Sequence, residues 1–142
     1  GAGIAGNVMY FNMAAQEIIV VTSPEPTAIT DAYAMIKVLN QRHAKERFRV
    51  LVNMVKGEAE AREVFNRLNQ ATSHFLNVTV EYLGHVTQDD HISDAVRKQK
   101  PFVSLFPNSP ASRCLQGLAE KISREEPEHD TTGTLGFFWD AI

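Results

Sequence analysis

The chain has a single cysteine, no glycine followed by lysine, no long apolar run and no excess of basic charge, and each absence removes a class of function. With Cys114 alone there is no internal disulfide framework, which fits a reducing cytoplasm. Cys114 sits in a helical pattern without histidines near it in sequence, so it reads as a small buried apolar residue rather than a nucleophile. Without G-x-x-x-x-G-K-[ST] there is no backbone cradle for β- and γ-phosphates, and the chain is not expected to hydrolyse ATP alone. No apolar run approaches the roughly 18–20 residues that span a bilayer, and no basic stretch leading into an apolar core opens the chain as a secretory signal would. The expectation is a soluble protein, or one held at a membrane from one side. A net charge of −3 and a pI near 5.9 give no field for coating DNA or anionic lipid. The histidines at 43, 74, 85, 91 and 129 lack zinc-helix spacing, so no metal site is expected.

What is present is the balance of one globular domain: 142 residues, 44% apolar and 22% charged, enough to bury a sizeable core. Glu17 to Thr22 is a β-branched run that stops at Ser23-Pro24-Glu25-Pro26, as a strand buried on both faces would. Phe48 to Val55 and Val78 to Val86 are two more such runs. Between them, Ile29, Ala32, Tyr33, Ile36 and Leu39, then Ala61, Val64, Phe65 and Leu68, keep the i, i+3, i+4 rhythm of amphipathic helices. Strand, helix, strand, helix, strand predicts an α/β fold with a parallel sheet and flanking helices, joined by right-handed crossovers.

Asp90 to Gln99 carries a short helical pattern, Pro101 to Pro107 reads as an apolar connector, and a helix follows from Pro110 with the stripe Ala111, Cys114, Leu115, Leu118, Ala119 and Ile122. The organisation expected is therefore a body over 1–124, a polar linker over 125–133, and an amphipathic segment over 134–142.

Ligands of such sheets gather beyond the carboxyl ends of the strands. Those ends are Thr22 to Pro26, Asn53 to Lys56 and His85 to Asp90. Asn53 at a strand end offers a donor and an acceptor together, the pair that reads a purine edge; it serves equally as a turn residue. Asp89-Asp90 has the chemistry of an acid–base pair, but two acids at a helix start more often cap the helix. Gly1-Ala2-Gly3-Ile4-Ala5-Gly6 matches G-x-G-x-x-G, with Glu25 about 20 positions on, but lacks the preceding strand that the dinucleotide fingerprint requires. In the C-terminal segment Leu135, Phe138, Trp139 and Ile142 form one stripe with Phe137 beside it, worth on the order of 5–8 kcal/mol if buried. A bilayer interface, a partner groove or the chain's own body are its possible destinations.

Residues 14–33, with Ile18-Ile19-Val20-Val21-Thr22-Ser23-Pro24-Glu25-Pro26 leading into Thr30-Asp31-Ala32-Tyr33, closely resemble the MinD and ParA-like ATPases, most of all the FlhG/FleN branch that regulates flagellar number. Phe48 to Met54 resembles the strand that carries the family's adenine-contacting Asn, and Tyr82-Leu83-Gly84-His85-Val86 resembles the next strand. The resemblance runs over most of the chain and implies the C-terminal part of a P-loop NTPase-type domain. It implies that Asn53 and Met54 contact the base, and that Val86, Thr87, Gln88 and Asp89 wrap adenine and ribose. Gly1, Ala2 and Gly3 resemble the end of the switch II motif and, with Glu25 and Pro26, imply a homodimer face.

Thr87 stands where the family usually has Pro. The Asp and Thr that precede the switch II glycines do not stand in this sequence, and the chain reads as a portion of a longer ATPase. In an intact member the cofactor is ATP or ADP with Mg, with none expected to be held tightly here. The implied partners are a second copy, flagellar regulatory proteins, and the membrane through Leu135, Phe137, Phe138, Trp139 and Ile142, with no direct nucleic acid. A nucleotide-independent protein-interaction module is the alternative, and a dinucleotide-binding oxidoreductase fragment the more distant one.

Overall fold

The computed structural model describes residues 17–125. Gly1, Ala2, Gly3, Leu135, Phe137, Phe138, Trp139 and Ile142 lie outside the described residues. Strand β1 (Ile19–Thr22) leads through Pro24 into helix α1 (Pro26–His43); β2 (Arg47–Val55) is followed by α2 (Glu58–Phe75), and β3 (Thr79–Thr87) by α3 (Asp90–Arg97), the one-turn α4 (Phe102–Leu105) and α5 (Pro110–Glu125). The strands are parallel in the order β1-β2-β3. This is the expected α/β arrangement with helices on both faces.

Alternation along the strands decides what each face packs against. Val20, Phe48, Val50, Val52 and Val80 point to one face, where Ala32, Ile36 and Leu39 of α1 and Ala61, Val64 and Leu68 of α2 close the main core. Pro26 occupies the first turn of α1, where its missing N–H costs nothing. Ala44, at φ 53°, ends that helix in the left-handed conformation and returns its N–H to the Asn40 carbonyl.

On the second face β3 is covered by α5, which runs antiparallel to it and meets it at successive turns. The Ala111 N–H donates to Asp89 Oδ2 at 3.1 Å, Thr87 Oγ1 lies 3.9 Å from Cys114 Sγ, and Lys121 Nζ donates to the Leu83 carbonyl at 3.1 Å. Between them Gly84, at φ 157°, leaves space for Leu118: a Cβ there would fall 2.5 Å from Leu118 Cδ2. At the far end Arg49 bridges Glu125 of α5 and Glu17 before β1, both at 2.8 Å.

Four expectations change. β1 is buried on one face, with Val21 57% exposed, because no described helix covers its other side. The connector at 101–107 contains a helical turn, closed by the Phe106 N–H on the Phe102 carbonyl. Within the α5 stripe Ser112 is buried, Ala119 is exposed and Cys114 is half-buried, since the helix rests on a single strand and presents a narrow strip to it. Glu125, read as the first linker residue, is the last residue of α5.

Leu39 is fully buried between helix and sheet, whereas Val96 is 69% exposed on α3. In urea denaturation Leu39→Ala is expected to lose about 2–5 kcal/mol, while Val96→Ala stays within about 0.5 kcal/mol of the parent.

Candidate functional site: the rim at the strand ends

The carboxyl ends of the three strands form one rim, and its most unusual backbone is at Asn53 and Met54. Val52 pairs with His85 and Val55 with Thr87, so Asn53 and Met54 together oppose the single residue Val86. This is a β-bulge, which re-aims side chains at the end of a sheet. Met54 has φ 58°, sparsely populated for a residue with a Cβ and costing on the order of 1–3 kcal/mol. Asn53 Oδ1 accepts the Met54 N–H at 2.9 Å and holds the bulge. The Asn53 side-chain nitrogen has no hydrogen-bond partner among the described residues, and the Met54 side chain, 48% exposed, lies open at the rim. Asn53 thus does turn work with its oxygen and retains a donor.

The neighbouring wall is Val86 to Asp89. Val86 is buried, Thr87 and Asp89 are partly buried, and Gln88 is exposed. The Gln88 N–H donates to the Val55 carbonyl at 2.8 Å, stitching the loop to the far side of the bulge. Thr87 is the last residue of β3, where backbone pairing and its contact with Cys114 hold it.

Asp89 caps α3 and does more. Its Oδ1 accepts the His91 N–H at 3.0 Å and lies 2.8 Å from His91 Nδ1, while Oδ2 accepts the Ala111 N–H of α5. Its side chain is 4% exposed. The Ala111 N–H on the carboxylate outweighs the effect of burial and, together with the His91 donors and Ser109, lowers the acid to about 2. The capping reading of Asp89 therefore holds; its reach to a helix 22 residues on had no signal in the sequence.

Glu25 and Pro26 sit exposed at the entry of α1, the Glu25 carbonyl accepting the Ala28 and Ile29 N–H groups. His85 faces Tyr82 Oη at 3.2 Å and His91 is engaged by Asp89. Among the described residues no group of three His, Cys, Asp or Glu could hold a metal, and no helix is long and apolar enough to cross a membrane. Sequence reading passed over Arg49, whose one signal was a lone charge inside a β-branched run.

A parallel sheet with an open rim at its carboxyl ends defines the class: a partial α/β domain of the P-loop NTPase type. The chain belongs to the MinD/ParA family. It is 42% identical to the antiactivator FleN of Pseudomonas aeruginosa over 99% of its own length and 50% of FleN. It is 33% identical to the flagellum site-determining protein YlxH of Helicobacter pylori over 84% of its length and 40% of YlxH. With an uncharacterized ATP-binding protein of Methanocaldococcus jannaschii it shares 30% identity, over 85% of its length and 43% of that protein. The chain thus spans half or less of these relatives, and it is related to flagellar regulators of the FleN and YlxH kind. No family model matches it.

The folded-state acidity of Asp89 sets a pH signature. Its carboxyl is held down to about 2, below its ordinary 3.8, so its stabilising contribution is complete above about pH 4 and is lost as the pH falls towards 2. The stability difference between the parent and Asp89→Asn, from urea titrations at several pH values, is expected to be constant from pH 5 to 7. It should shrink steadily between pH 4 and 2.

Proposed function

We propose that the chain supplies the adenine side, part of the dimer surface and the membrane-reaching segment of a MinD-like ATP-dependent switch that sets flagellar number or placement. The observation that carries this reading is the bulge at Asn53-Met54. It places an amide with a free donor next in the chain to an exposed thioether, opposite Val86 in the strand register and next to the Val55–Gln88 hydrogen bond, a polar group with an apolar neighbour suited to a flat heteroaromatic base. The residues present fit the base. They do not fit the phosphates or Mg, for which the chain has no glycine–lysine loop and the described residues offer no cluster of acids. Hydrolysis therefore belongs to the longer ATPase, where ATP with Mg would supply the energy of the switch.

Glu25 and Pro26, exposed at the end of β1, stand on the same rim as the base site, consistent with a face that meets a second copy beside the nucleotide. Gly1, Ala2 and Gly3 would join that face. Leu135, Phe137, Phe138, Trp139 and Ile142 would carry the protein to the membrane surface, and flagellar regulatory proteins are the partners this reading supplies.

Titration calorimetry with ATP, ADP and NAD tests the base assignment. Adenine nucleotides are expected to bind without preference for NAD, and Asn53→Ala is expected to weaken ADP about tenfold, the worth of one well-placed hydrogen bond. Strong, selective NAD binding would restore the dinucleotide-enzyme reading, and no nucleotide binding would favour the interaction module. For the C-terminal segment, removal of residues 134–142 should abolish co-sedimentation with liposomes. Equal sedimentation with and without them would contradict the membrane role.

A further inference from the structure

The geometry points to Asp89 as a positioning residue rather than a ligand of the nucleotide: by grasping the first turn of α5 it makes the pose of Val86–Gln88 and the seating of α5 on β3 a single linked equilibrium. This rests on the adenine reading of the rim, and it assigns to Asp89 a role different from direct contact with adenine or ribose. The His91 N–H and ring nitrogen already sit on Oδ1 and the Ala111 N–H on Oδ2, with Ser109 beside them, and the side chain is almost wholly covered. Little acceptor capacity is left for a ribose hydroxyl. With its pKa held below the ordinary carboxylate range, the side chain stays an ionised acceptor at neutral pH, as both helix starts require.

The hold on Ala111 is the first of a series. Thr87 against Cys114, Gly84 against Leu118, Leu83 against Lys121 and Arg49 against Glu125 set the register of α5 along β3. The residue immediately before Asp89 is Gln88, whose N–H is fixed to the bulge strand at Val55. The rim loop is thus stretched between two anchors, the bulge on one side and α5 on the other. A sliding of α5 by about 1 Å would lengthen the Asp89–Ala111 bond beyond hydrogen-bond range and pull on the loop that faces the base. By linkage, a base that steadies the loop steadies α5 by the same factor, and a change in α5 changes base affinity in return.

The test is an NMR titration of the isotope-labelled chain with ADP. In the parent, the amides of Asn53 and Met54 and those of Ala111, Ser112 and Arg113 are expected to shift together with one dissociation constant. Asp89→Asn keeps a good N-cap for α3 but cannot offer an acceptor to both helices. It is expected to raise the ADP dissociation constant about five- to tenfold and to silence the response of 111–113 while Asn53 still shifts. Leu39→Ala, destabilised away from the rim, should bind ADP as the parent does. If Asn53 and Met54 respond in the parent while 111–113 do not, or if Asp89→Asn binds ADP as tightly as the parent, Asp89 has no positioning role and the adenine rim stands. If Asn53 and Met54 fail to shift in the parent, the base assignment falls and the inference with it.

Discussion

Helix α5 lies along β3 with a tie at nearly every turn, and that contact covers the second face of the sheet over β3 while β1 stays open there. A parallel strand needs cover on both sides. The first face receives two long helices and a continuous apolar core; the second receives one helix, seated by a mixture of small-residue contact and hydrogen bonding. Individually these ties are modest, about 0.5–1.5 kcal/mol for a hydrogen bond and about 0–1 for an ion pair open to solvent. Their importance is positional. Gly84 leaves Leu118 the space a Cβ would fill, and Asp89, Lys121 and Arg49 tie the helix from both ends.

The same seating shapes the rim. The bulge at Asn53 and Met54 stores strain in a non-glycine residue at positive φ, and such strain persists where the surroundings over-determine the backbone. Here the surroundings are the Asn53 side chain on one side and the Gln88–Val55 hydrogen bond on the other. The loop bearing Gln88 is held in turn by Asp89. Core packing below, α5 behind and the bulge in front converge on Asn53, Met54 and the loop after β3, the residues of the proposed base site. Family membership shows the kind of domain, and the proposed base site is the part of its rim where the bulge leaves a donor open.

Much of the fold was legible because parallel strands and amphipathic helices announce themselves by local rhythm. Val50, Val52, Ile36, Leu39 and Leu68 are buried as their spacing requires. The exposed side of β1 was not legible, since a β-branched run looks alike whether one face or both are covered. Asn53 was identifiable by its place at a strand end, but the bulge that frees its nitrogen has no local code and arises from the register between β2 and β3. Asp89 showed half of its role: an acid before a helix reads as a cap, whereas a bond to Ala111 depends on how α3 and α4 return the chain. Arg49 needed the fold before its partners Glu17 and Glu125 could be seen.

The proposed seating of a base against the Asn53-Met54 bulge is tested most directly by intermolecular nuclear Overhauser effects between ADP and the chain. Contacts are expected from the adenine H2 and H8 protons to the Met54 methyl group, the Asn53 side-chain amide and the Gln88 side chain. Contacts absent from these three residues at saturating ADP, or found instead on the outer face of α2 around Arg67 and Phe75, would contradict it.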